Sequence, residues 1–484
     1  MDLLPDYSSR VIHMRIGNRI TKTGFFDIPE YFKKKVPGTL IIESDGNIII
    51  EVIEPEDHIT KIFEDHREIP TIKAKTEGYE YILIENCFMK PRETSYTDGI
   101  NKRKIEASSA ILSQTEIEEK QLYENILFSV DLLEEWVNKF KIITNYNHAE
   151  QVGKIDFSVP ESISHLLTNK CTFEIHFGFE NTVFQRSSDS VSIDAKTYIK
   201  LSHEEPKTLE TLRKDLFIII SFLSILMDDT VSIRSLYALP HYNDDIENRE
   251  RRYCKILSRT YPYKDKEPKK SSLKMLLTYE EIEQIEGGLS KILSNFYSIY
   301  EKTNPSINNI LGPKFNNSTT QHDWNFLSVM RGIESYERSY TPVPLEEKHC
   351  IDEFIERTLN SCEPKHRKWL ESKIAHSSER TLTKKMVSFL SRVPSELLSK
   401  TKRGRLISKS TNRRNLLTHA PRGLSNTESI ENHFYHETIY MMSIIVILGD
   451  IGIDQKTLVR IFMDNRCNIK NRIDAFKTKI VLDE

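Results

Sequence analysis

The chain has little cysteine and no closely paired cysteines. It contains six cysteines in 484 residues, and none of them forms a Cys-x-x-Cys pair. Disulfide-stabilised secreted domains and structural zinc sites need more numerous or closely spaced cysteines, so the pattern excludes both classes and fits a reducing cytoplasm. Cys350 and Cys362, with His349 and His366 nearby, fit no zinc-binding spacing. We interpret them as buried or incidental thiols and expect no metal and no cofactor.

Long apolar runs are also missing. The two most apolar stretches, Leu216 to Met227 and Ile439 to Leu448, are shorter than the roughly 20 residues that a membrane-spanning helix needs. The N-terminal residues, Met1 to Asp6, have neither the basic start nor the apolar core of a secretory signal. We therefore expect two buried helices in a soluble, cytoplasmic protein that does not contact membranes.

An excess of charge of one sign is absent too. The formal net charge is −3, from 68 basic and 71 acidic residues, and such a balance gives no general attraction to nucleic acid. Any nucleic-acid contact must come from a local basic patch, for which the stretch from Lys400 to Arg422 is the candidate.

The first 200 residues also contain no glycine-rich phosphate loop. The length predicts two to four domains, and 38% hydrophobic residues suffice for sizeable cores.

The N-terminal part has the pattern of β-strands. Two runs of strand-forming residues, Thr39 to Glu43 and Asn47 to Ile53, flank the turn dipeptide Asp45-Gly46, which predicts a hairpin. Polar and apolar residues also alternate in Tyr79 to Glu85 and in Cys171 to Phe179. The pattern favours an antiparallel sheet, such as a sandwich. One helix, from Ser129 to Tyr146, is predicted to interrupt it.

The period changes to that of helices after Lys207. Apolar residues three or four apart predict a buried helix from Leu209 to Met227. Further helices are predicted near Tyr279 to Gly287 and Leu289 to Lys302. Asn304-Pro305 and Gly312-Pro313 are expected to bracket a loop, and we place a domain boundary near Pro313.

The last 160 residues have the pattern of helices almost throughout, which predicts an antiparallel helical bundle with appended helices. The predicted helices span Trp324 to Ser339, Lys348 to Asn360, Pro364 to Ile374, Leu382 to Arg392, a basic segment ending at His419, Thr427 to Leu448, and Gln455 to Ile480.

One short stretch of this region combines the groups that metal-free RNA cleavage needs. Asn415 and His419 are four residues apart and share one helix face, while Arg414 lies about 100° around the helix. Pro421 predicts that the helix ends nearby, which places His419 in a last turn, where the negative end of the helix dipole favours the protonated ring. Such a histidine can give or take a proton near neutral pH. The residues alone leave open the alternative of a solvated helix end with a basic flank.

A family resemblance bears on that choice. The stretch from Arg414 to His419 resembles the Arg-Asn-x-x-x-His signature of HEPN-domain ribonucleases, and the C-terminal third resembles the ApeA-like HEPN branch of anti-phage defence proteins. Other pieces resemble the early helix of that branch, the start of the ApeA N-terminal domain and the segment linking the two domains. These pieces are Phe326 to Arg338, Gly24 to Pro29 with Val36 to Leu40, and Ser202 to Val231.

The resemblance implies an α+β protein. It implies a mainly-β N-terminal domain over residues 1–205, similar to the ApeA N-terminal domain and acting as a sensor. A helical connecting region would follow over residues 206–312. An all-α HEPN-like bundle with ribonuclease activity would occupy residues 313–484.

The implied activity is that of a metal-independent endoribonuclease in abortive infection. A ribose 2′-hydroxyl would attack the adjacent phosphodiester, with His419 as general acid or base and Arg414 stabilising the phosphate. Asn415 would orient His419 or a phosphate oxygen. Glu334 would orient Arg414 or His419 from a facing helix, although an ordinary surface carboxylate is the alternative. The expected RNA-contacting residues are Arg413, Lys402, Arg403, Arg405 and Lys409, a run that is also typical of a solvated linker.

The implied partners are an RNA substrate, such as tRNA or another cellular RNA, a phage-derived trigger and further copies of the chain. One imidazole cannot perform both proton transfers at once, so the resemblance implies a homodimer or a higher homo-oligomer. The competing hypothesis is an inactive HEPN bundle, retained for RNA binding or dimerisation beside a ligand-sensing N-terminal domain. A DNA-binding regulator is a third hypothesis, disfavoured because no helix-turn-helix accompanies the basic helix.

Overall fold

The computed structural model describes most of the chain. The described residues are 19–29, 31–44, 46–53, 68–78, 80–90, 93–94, 101–180, 194–242, 252–258, 271–315, 322–341, 345–374, 380–419, 426–469 and 471. The chain divides into two compact units, residues 1–272 with 278–280, and residues 273–277 with 281–484. The first unit contains all the described strands and the second most of the helices, so the fold class is α+β, as predicted.

Thirteen of the described strands form one antiparallel sheet, and two more form a separate hairpin. The sheet order is β11-β12-β13-β8-β14-β15-β7-β3-β2-β1-β4-β5, with β6 beside β7. The strands are β1 Ile20–Asp27, β2 Val36–Ile42, β3 Ile48–Ile53, β4 Glu68–Thr76, β5 Tyr81–Met89, β6 Glu93–Thr94, β7 Asn101–Ser113, β8 Leu122–Val130, β9 Lys141–Asn147, β10 Val152–Ser158, β11 Ile163–Leu166, β12 Cys171–Glu180, β13 Asp194–Thr208, β14 Ile233–Pro240 and β15 Cys254–Ser258.

Part of this sheet closes into a barrel. Strand β5 pairs with β4 on one side and with β7 on the other, so β7, β3, β2, β1, β4 and β5 form a closed ring of strands. Branched apolar side chains fill the interior, among them the fully buried Leu40, Ile50, Ile72, Ile84 and Ile105. Closure leaves these six strands without a free edge, which a sandwich would have kept.

The β7 strand also continues the sheet outside the barrel, because its C-terminal half pairs with β15. The helix α2, Leu209–Met227, packs on strands β8 and β13 of this open part. Its first turn is capped by the Thr208 side chain, which accepts a hydrogen bond from the amide of Thr211. The predicted buried helix from Leu209 to Met227 is confirmed.

The predicted helix from Ser129 to Tyr146 is wrong. Only α1, Leu133–Val137, is helical there, and it ends at Asn138, whose φ of 49° is left-handed. The residues after it form β9, which pairs with β10 in the separate hairpin. The prediction failed because the span that suggested one helix covers three elements: the end of β8, the short helix α1 and the start of β9. Residues 206–312, predicted as a helical connection, also include β14 and β15, which pair with β8 and β7 in the large sheet.

Most of the helices that follow agree with the predicted bundle, but the last one, predicted from Gln455 to Ile480, ends at Met463, and Cys467 after it has a left-handed φ of 53°. The helices are α3 Tyr279–Glu283, α4 Gly288–Phe315, α5 His322–Tyr340, α6 Leu345–Ser361, α7 Pro364–Ile374, α8 Leu382–Ser391, α9 Lys400–His419, α10 Asn426–Asp450 and α11 Gln455–Met463. The predicted loop between Pro305 and Pro313 is wrong, because α4 runs through both prolines. A proline interrupts only one hydrogen bond of the ladder, and the buried Ile307, Ile310 and Leu311 hold this segment in the bundle. The predicted boundary near Pro313 therefore falls inside a helix of the second unit.

Helix α5 is fixed from two sides. At Gly332 it approaches α4 so closely that a Cβ would lie 2.7 Å from Ile310 Cγ1 and 2.9 Å from the Ser306 carbonyl oxygen. One turn further on, α5 is joined to α8 and α10 by a network of buried polar groups. Tyr336 donates a hydrogen bond of 2.9 Å to Asp450, which also pairs with Arg392 of the α8 C-cap.

Glu337, next to Tyr336, completes this network, because Arg392 pairs with its carboxylate as well. Burial raises the pKa of Asp450 above its usual value, while the Arg392 guanidinium lowers it. Burying charges is tolerated only where they are paired in this way. The network therefore defines the position of α5 and of the residues on its opposite side.

Candidate functional site

The basic helix α9 carries the Arg-Asn-x-x-x-His stretch. Its buried stripe is narrow and consists of Leu406, Ile407, Ser410 and Thr411. The helix start is attached to the preceding loop by Arg403, whose guanidinium donates to the carbonyl oxygens of Val393 at 2.8 Å and Leu398 at 3.3 Å. The helix is described through His419, and the prediction that Pro421 ends it concerns residues outside the described part of the chain.

Arg414 faces the bundle and lies beside Glu334 of α5. Its Nη2 donates to Glu334 Oε2 over 3.5 Å, and its Nη1 donates to the side-chain oxygen of its neighbour Asn415 over 3.4 Å. The Arg414 side chain is 31% exposed and that of Glu334 is 25% exposed. Both contacts are at the long end of hydrogen-bond distances. The guanidinium is thus oriented by two oxygen acceptors and remains accessible.

Glu334 is shared with two further cations. Its other oxygen, Oε1, lies 3.3 Å from Lys385 Nζ of α8 and 3.9 Å from Arg338 of α5. Lys385 is only 5% exposed. A buried ammonium needs a nearby carboxylate, so Lys385 binds Glu334 on the side away from Arg414. Three cations around one carboxylate leave a local excess of positive charge.

A cavity of about 640 Å³ opens beside these groups and is lined by Pro305, Asn309, Arg331, Glu334, Ser335 and Arg338. The two arginines and the glutamate follow the spacing i, i+3 and i+7, which places them on one face of α5. Arg331 is exposed, and among the residues that the structure describes it has no hydrogen-bond or ion-pair partner. The cavity therefore contains the exposed guanidinium of Arg331 together with Glu334, the carboxylate that contacts Arg414.

The sequence predicted Arg414, Asn415 and Glu334, and the structure brings these three together. It predicted no role for Lys385, Arg331 or Arg338. The spacing of Arg331 and Arg338 around Glu334 was visible in the sequence as one charged face of α5, but nothing local connects Lys385 to that face. The side chain of His419 lies outside the described part of the chain. His419 is the last residue described in α9, and it follows Asn415 by four positions.

The five residues expected to contact RNA fall into two groups. Arg403 is bound to loop carbonyl groups, as described above. Arg413 donates from Nε to Asn432 Oδ1 of α10 over 2.5 Å, and Asn432 in turn contacts Asp323 of α5. These two arginines therefore stabilise the bundle, a use of arginine that the basic run in the sequence did not reveal.

The other three, Lys402, Arg405 and Lys409, are exposed. Their spacing of i, i+3 and i+7 places them along one side of α9, away from the buried stripe. They form a cationic stripe on the surface of the helix, and the accessible charge of α9 is concentrated there.

The cysteines take no part in this site. All six are free thiols. Burial raises the pKa of Cys87 and of Cys171 to about 12, so both stay protonated and unreactive near neutral pH. Cys350 is exposed, and Cys362 is half-buried. In the part of the chain that the structure describes, no helix has an apolar stretch long enough to cross a bilayer.

Comparison with known families covers most of the chain. The family model described as ApeA N-terminal domain 1 matches residues 21–295, which is more than half of the chain. The family model described as Apea-like HEPN matches residues 327–457, which include Glu334, Arg414, Asn415 and His419. No curated protein and no solved structure gives a significant match. The chain therefore belongs to the ApeA family of HEPN proteins of anti-phage defence.

Proposed function

We propose that the chain is a HEPN-type endoribonuclease that acts in abortive infection. The observation that carries the proposal is the orientation of Arg414, whose guanidinium is held by Glu334 and Asn415 but stays accessible at the surface of the bundle. HEPN domains are generally ribonuclease domains. We assign the sensor role to the first unit, which contains residues 1–205 together with strands β14 and β15, and the ribonuclease role to the second unit, which contains residues 313–484.

The proposed reaction is an internal transesterification. The 2′-oxygen of a ribose attacks the adjacent phosphorus while the bond to the 5′-oxygen breaks, which yields a 2′,3′-cyclic phosphate and a 5′-hydroxyl. One proton leaves the 2′-hydroxyl and one is gained by the departing 5′-oxygen. The nucleophile comes from the RNA, so the reaction needs no catalytic serine or cysteine, and the proposal is that it needs no metal ion.

Arg414 would stabilise the negative charge that grows on the non-bridging oxygens. Its Nη1 and Nη2 groups form a planar pair of donors, which matches two phosphate oxygens. The present contacts with Asn415 and Glu334 are long. A phosphate group can therefore replace the Asn415 contact while Glu334 keeps the guanidinium plane oriented.

His419 would transfer one of the two protons. Its backbone lies in the last described turn of α9, four positions after Asn415. A second acid or base is needed for the other proton, and we propose that it comes from a second copy of the chain. The active form would then be a homodimer or a higher homo-oligomer.

The RNA strand would be bound by cations outside the reacting centre. Arg331 in the α5 cavity and the stripe of Lys402, Arg405 and Lys409 on α9 are exposed, so they can contact backbone phosphates. Such contacts are electrostatic and weaken with salt. Arg403 and Arg413, although first expected to bind RNA, have partners within the bundle, and we assign them to its stability.

The decisive test is RNA cleavage by purified protein, with and without a phage-derived trigger. His419→Ala and Arg414→Ala should each abolish cleavage and toxicity in a bacterium without unfolding the protein, as checked by circular dichroism. His366→Ala and Arg367→Ala, which change exposed residues of α7, are the matched controls and should retain activity. Sequencing of 5′-hydroxyl ends from cells expressing the active and His419→Ala forms would identify the RNA that is cut.

A second function is favoured by one observation, the pairing of Arg414 with Glu334. The same ion pair could serve only to stabilise the packing of α5 against α9. The bundle would then be retained for RNA binding or dimerisation, beside a ligand-sensing N-terminal domain. In that case no condition would give cleavage, and Arg414→Ala would lower the melting temperature. Growth arrest that disappears with His419→Ala would instead support the enzyme.

A further inference from the structure

We infer that His433, His436 and Glu437 of α10 form a binding site for a divalent transition-metal ion, with Zn²⁺ as the expected occupant. The three residues are spaced i, i+3 and i+4, so they lie on one side of the helix. One donor atom from each lies within 4.8 Å of the other two. Donors bound to a common tetrahedral ion at about 2.0 Å are roughly 3.3 Å apart, so small side-chain adjustments would complete the site.

The orientation of the buried His436 ring supports the site. Its side chain is only 7% exposed, and its Nδ1 lies 3.3 Å from Glu437 Oε1. Nδ1 is therefore the ring nitrogen that faces the carboxylate, and the contact between them is long for a hydrogen bond. An ion placed between these two atoms would bind both of them directly.

The surroundings limit the freedom of His433. Its ring is 4.8 Å from that of His322 on α5, measured between ring centroids. The preceding residue, Asn432, is fully buried and contacts both Arg413 of α9 and Asp323 of α5. The donor group therefore lies where α5, α9 and α10 meet, and a bound ion would stabilise that junction.

The donor types select the class of ion. Two imidazoles and one carboxylate suit Zn²⁺ and neighbouring transition metals, whereas Mg²⁺ and Ca²⁺ prefer sites made of oxygen atoms. Three protein donors leave a fourth position for water. The inference goes beyond the proposed ribonuclease activity and assigns the ion no part in it. Its effect would be on the stability of the helical unit.

The test uses full-length protein without an affinity tag. Binding is measured by competition with a chromophoric Zn²⁺ chelator, zinc content by elemental analysis, and stability by thermal unfolding. The wild-type protein should bind one Zn²⁺ per chain, and its melting temperature should rise with Zn²⁺ and fall with a chelator. His433→Gln and Glu437→Gln should each weaken binding at least about tenfold and remove the shift in melting temperature. Both residues are only half-buried, so these variants should fold.

The control is His349→Gln on α6. His349 also pairs with a carboxylate one helical turn away, Glu353, at 3.2 Å, but both are exposed, and the described residues place no third metal-binding donor beside them. This variant should bind Zn²⁺ as the wild type does. Stoichiometric binding that persists in both His433→Gln and Glu437→Gln, or a wild-type protein that binds no Zn²⁺, would overturn the inference. RNA cleavage is measured separately, so its absence would count against the proposed function and not against the metal site.

Discussion

Glu334 and Arg414 are 80 residues apart in the chain, and their side chains meet at 3.5 Å between α5 and α9. The pair brings a carboxylate from one helix to the arginine of the Arg-Asn-x-x-x-His stretch. Because Lys385 and Arg338 engage the other oxygen of Glu334, Arg414 competes with two cations for a single carboxylate. Its guanidinium is therefore oriented without being neutralised, which suits a group that must bind phosphate.

The role of Glu334 can be separated from that of an ordinary surface carboxylate. Glu334→Gln keeps the shape of the side chain but removes its charge, so Arg414 loses its orienting partner and Lys385 its counter-charge. We expect kcat for RNA cleavage to fall about tenfold or more with a smaller change in KM. Glu353→Gln on α6 is the control. Unchanged kinetics in Glu334→Gln would mean that the carboxylate has no positioning role.

Arg414→Lys tests the need for two parallel donors. Lysine keeps the positive charge but offers a single ammonium group, which cannot hold two phosphate oxygens in one plane. We expect cleavage to fall by about 100-fold, the usual order for loss of one donor to a developing oxyanion. Melting temperature should change little, because the Glu334 contact is partly exposed. Activity close to the wild-type level would argue that Arg414 supplies only charge.

Arg331→Ala tests the cavity as part of the RNA path. Loss of one phosphate contact should raise KM while kcat stays nearly constant, and it should lower the slope of log affinity against log salt by about 1. The comparison variant is Arg357→Ala on α6, where the arginine is exposed but does not line the cavity. An equal effect in both variants would show that the cavity is not a specific contact.

Gly332→Val tests the close approach of α4 and α5. A side chain here would collide with Ile310 and with the Ser306 carbonyl oxygen, so we expect a loss of about 1–3 kcal/mol. This corresponds to a fall in melting temperature of about 2–4 °C for each kcal/mol in a unit of this size. Gly404→Ala on α9 is the contrasting variant, because a Cβ there meets nothing within 4 Å. It should stabilise the protein slightly, by up to about 1 kcal/mol.

The partly buried Lys255 should make the stability of the first unit depend on pH. Burial on β15, between β7 and β14, lowers the pKa of its ammonium from 10.5 to about 8, despite the opposing effect of Glu80. Between about pH 8 and 10.5 the unfolded chain binds this proton and the folded chain does not, so stability rises with pH across that window. Below pH 8 the lysine is charged in both states, so burial of its charge lowers the free energy of unfolding by a constant amount.

Lys255→Met removes that cost. At pH 7 we expect the variant to melt about 2–4 °C higher than the wild type, which corresponds to about 1 kcal/mol. The difference should shrink as pH approaches 10, where the wild-type lysine is neutral in the folded state. A difference that does not depend on pH would show that packing, and not charge burial, causes it. Lys154→Met on β10, an exposed lysine, is the control.

The elements were predicted best where a single local period extended over many residues. The buried helix α2 and the bundle helices α5, α8 and α10 agree with the predicted spans because their apolar spacing is regular. The predictions failed at Ser129 to Tyr146 and at Pro305 to Pro313. In the first case an apolar period crossed three elements, and in the second the packing of Ile307, Ile310 and Leu311 maintained a helix through residues that usually end one.

By itself, the sequence determined that Arg414, Asn415 and His419 are carried on one basic helix, because residue spacing and a terminal proline act over a few residues. It also determined the type of most elements. Only the tertiary structure decided that β5 returns to β7 to close a barrel and that Arg413 and Arg403 are used within the bundle. It alone brought Glu334 together with Lys385 and Arg414, which are 51 and 80 positions away in the chain. Such contacts depend on how helices and strands pack, which no local pattern encodes.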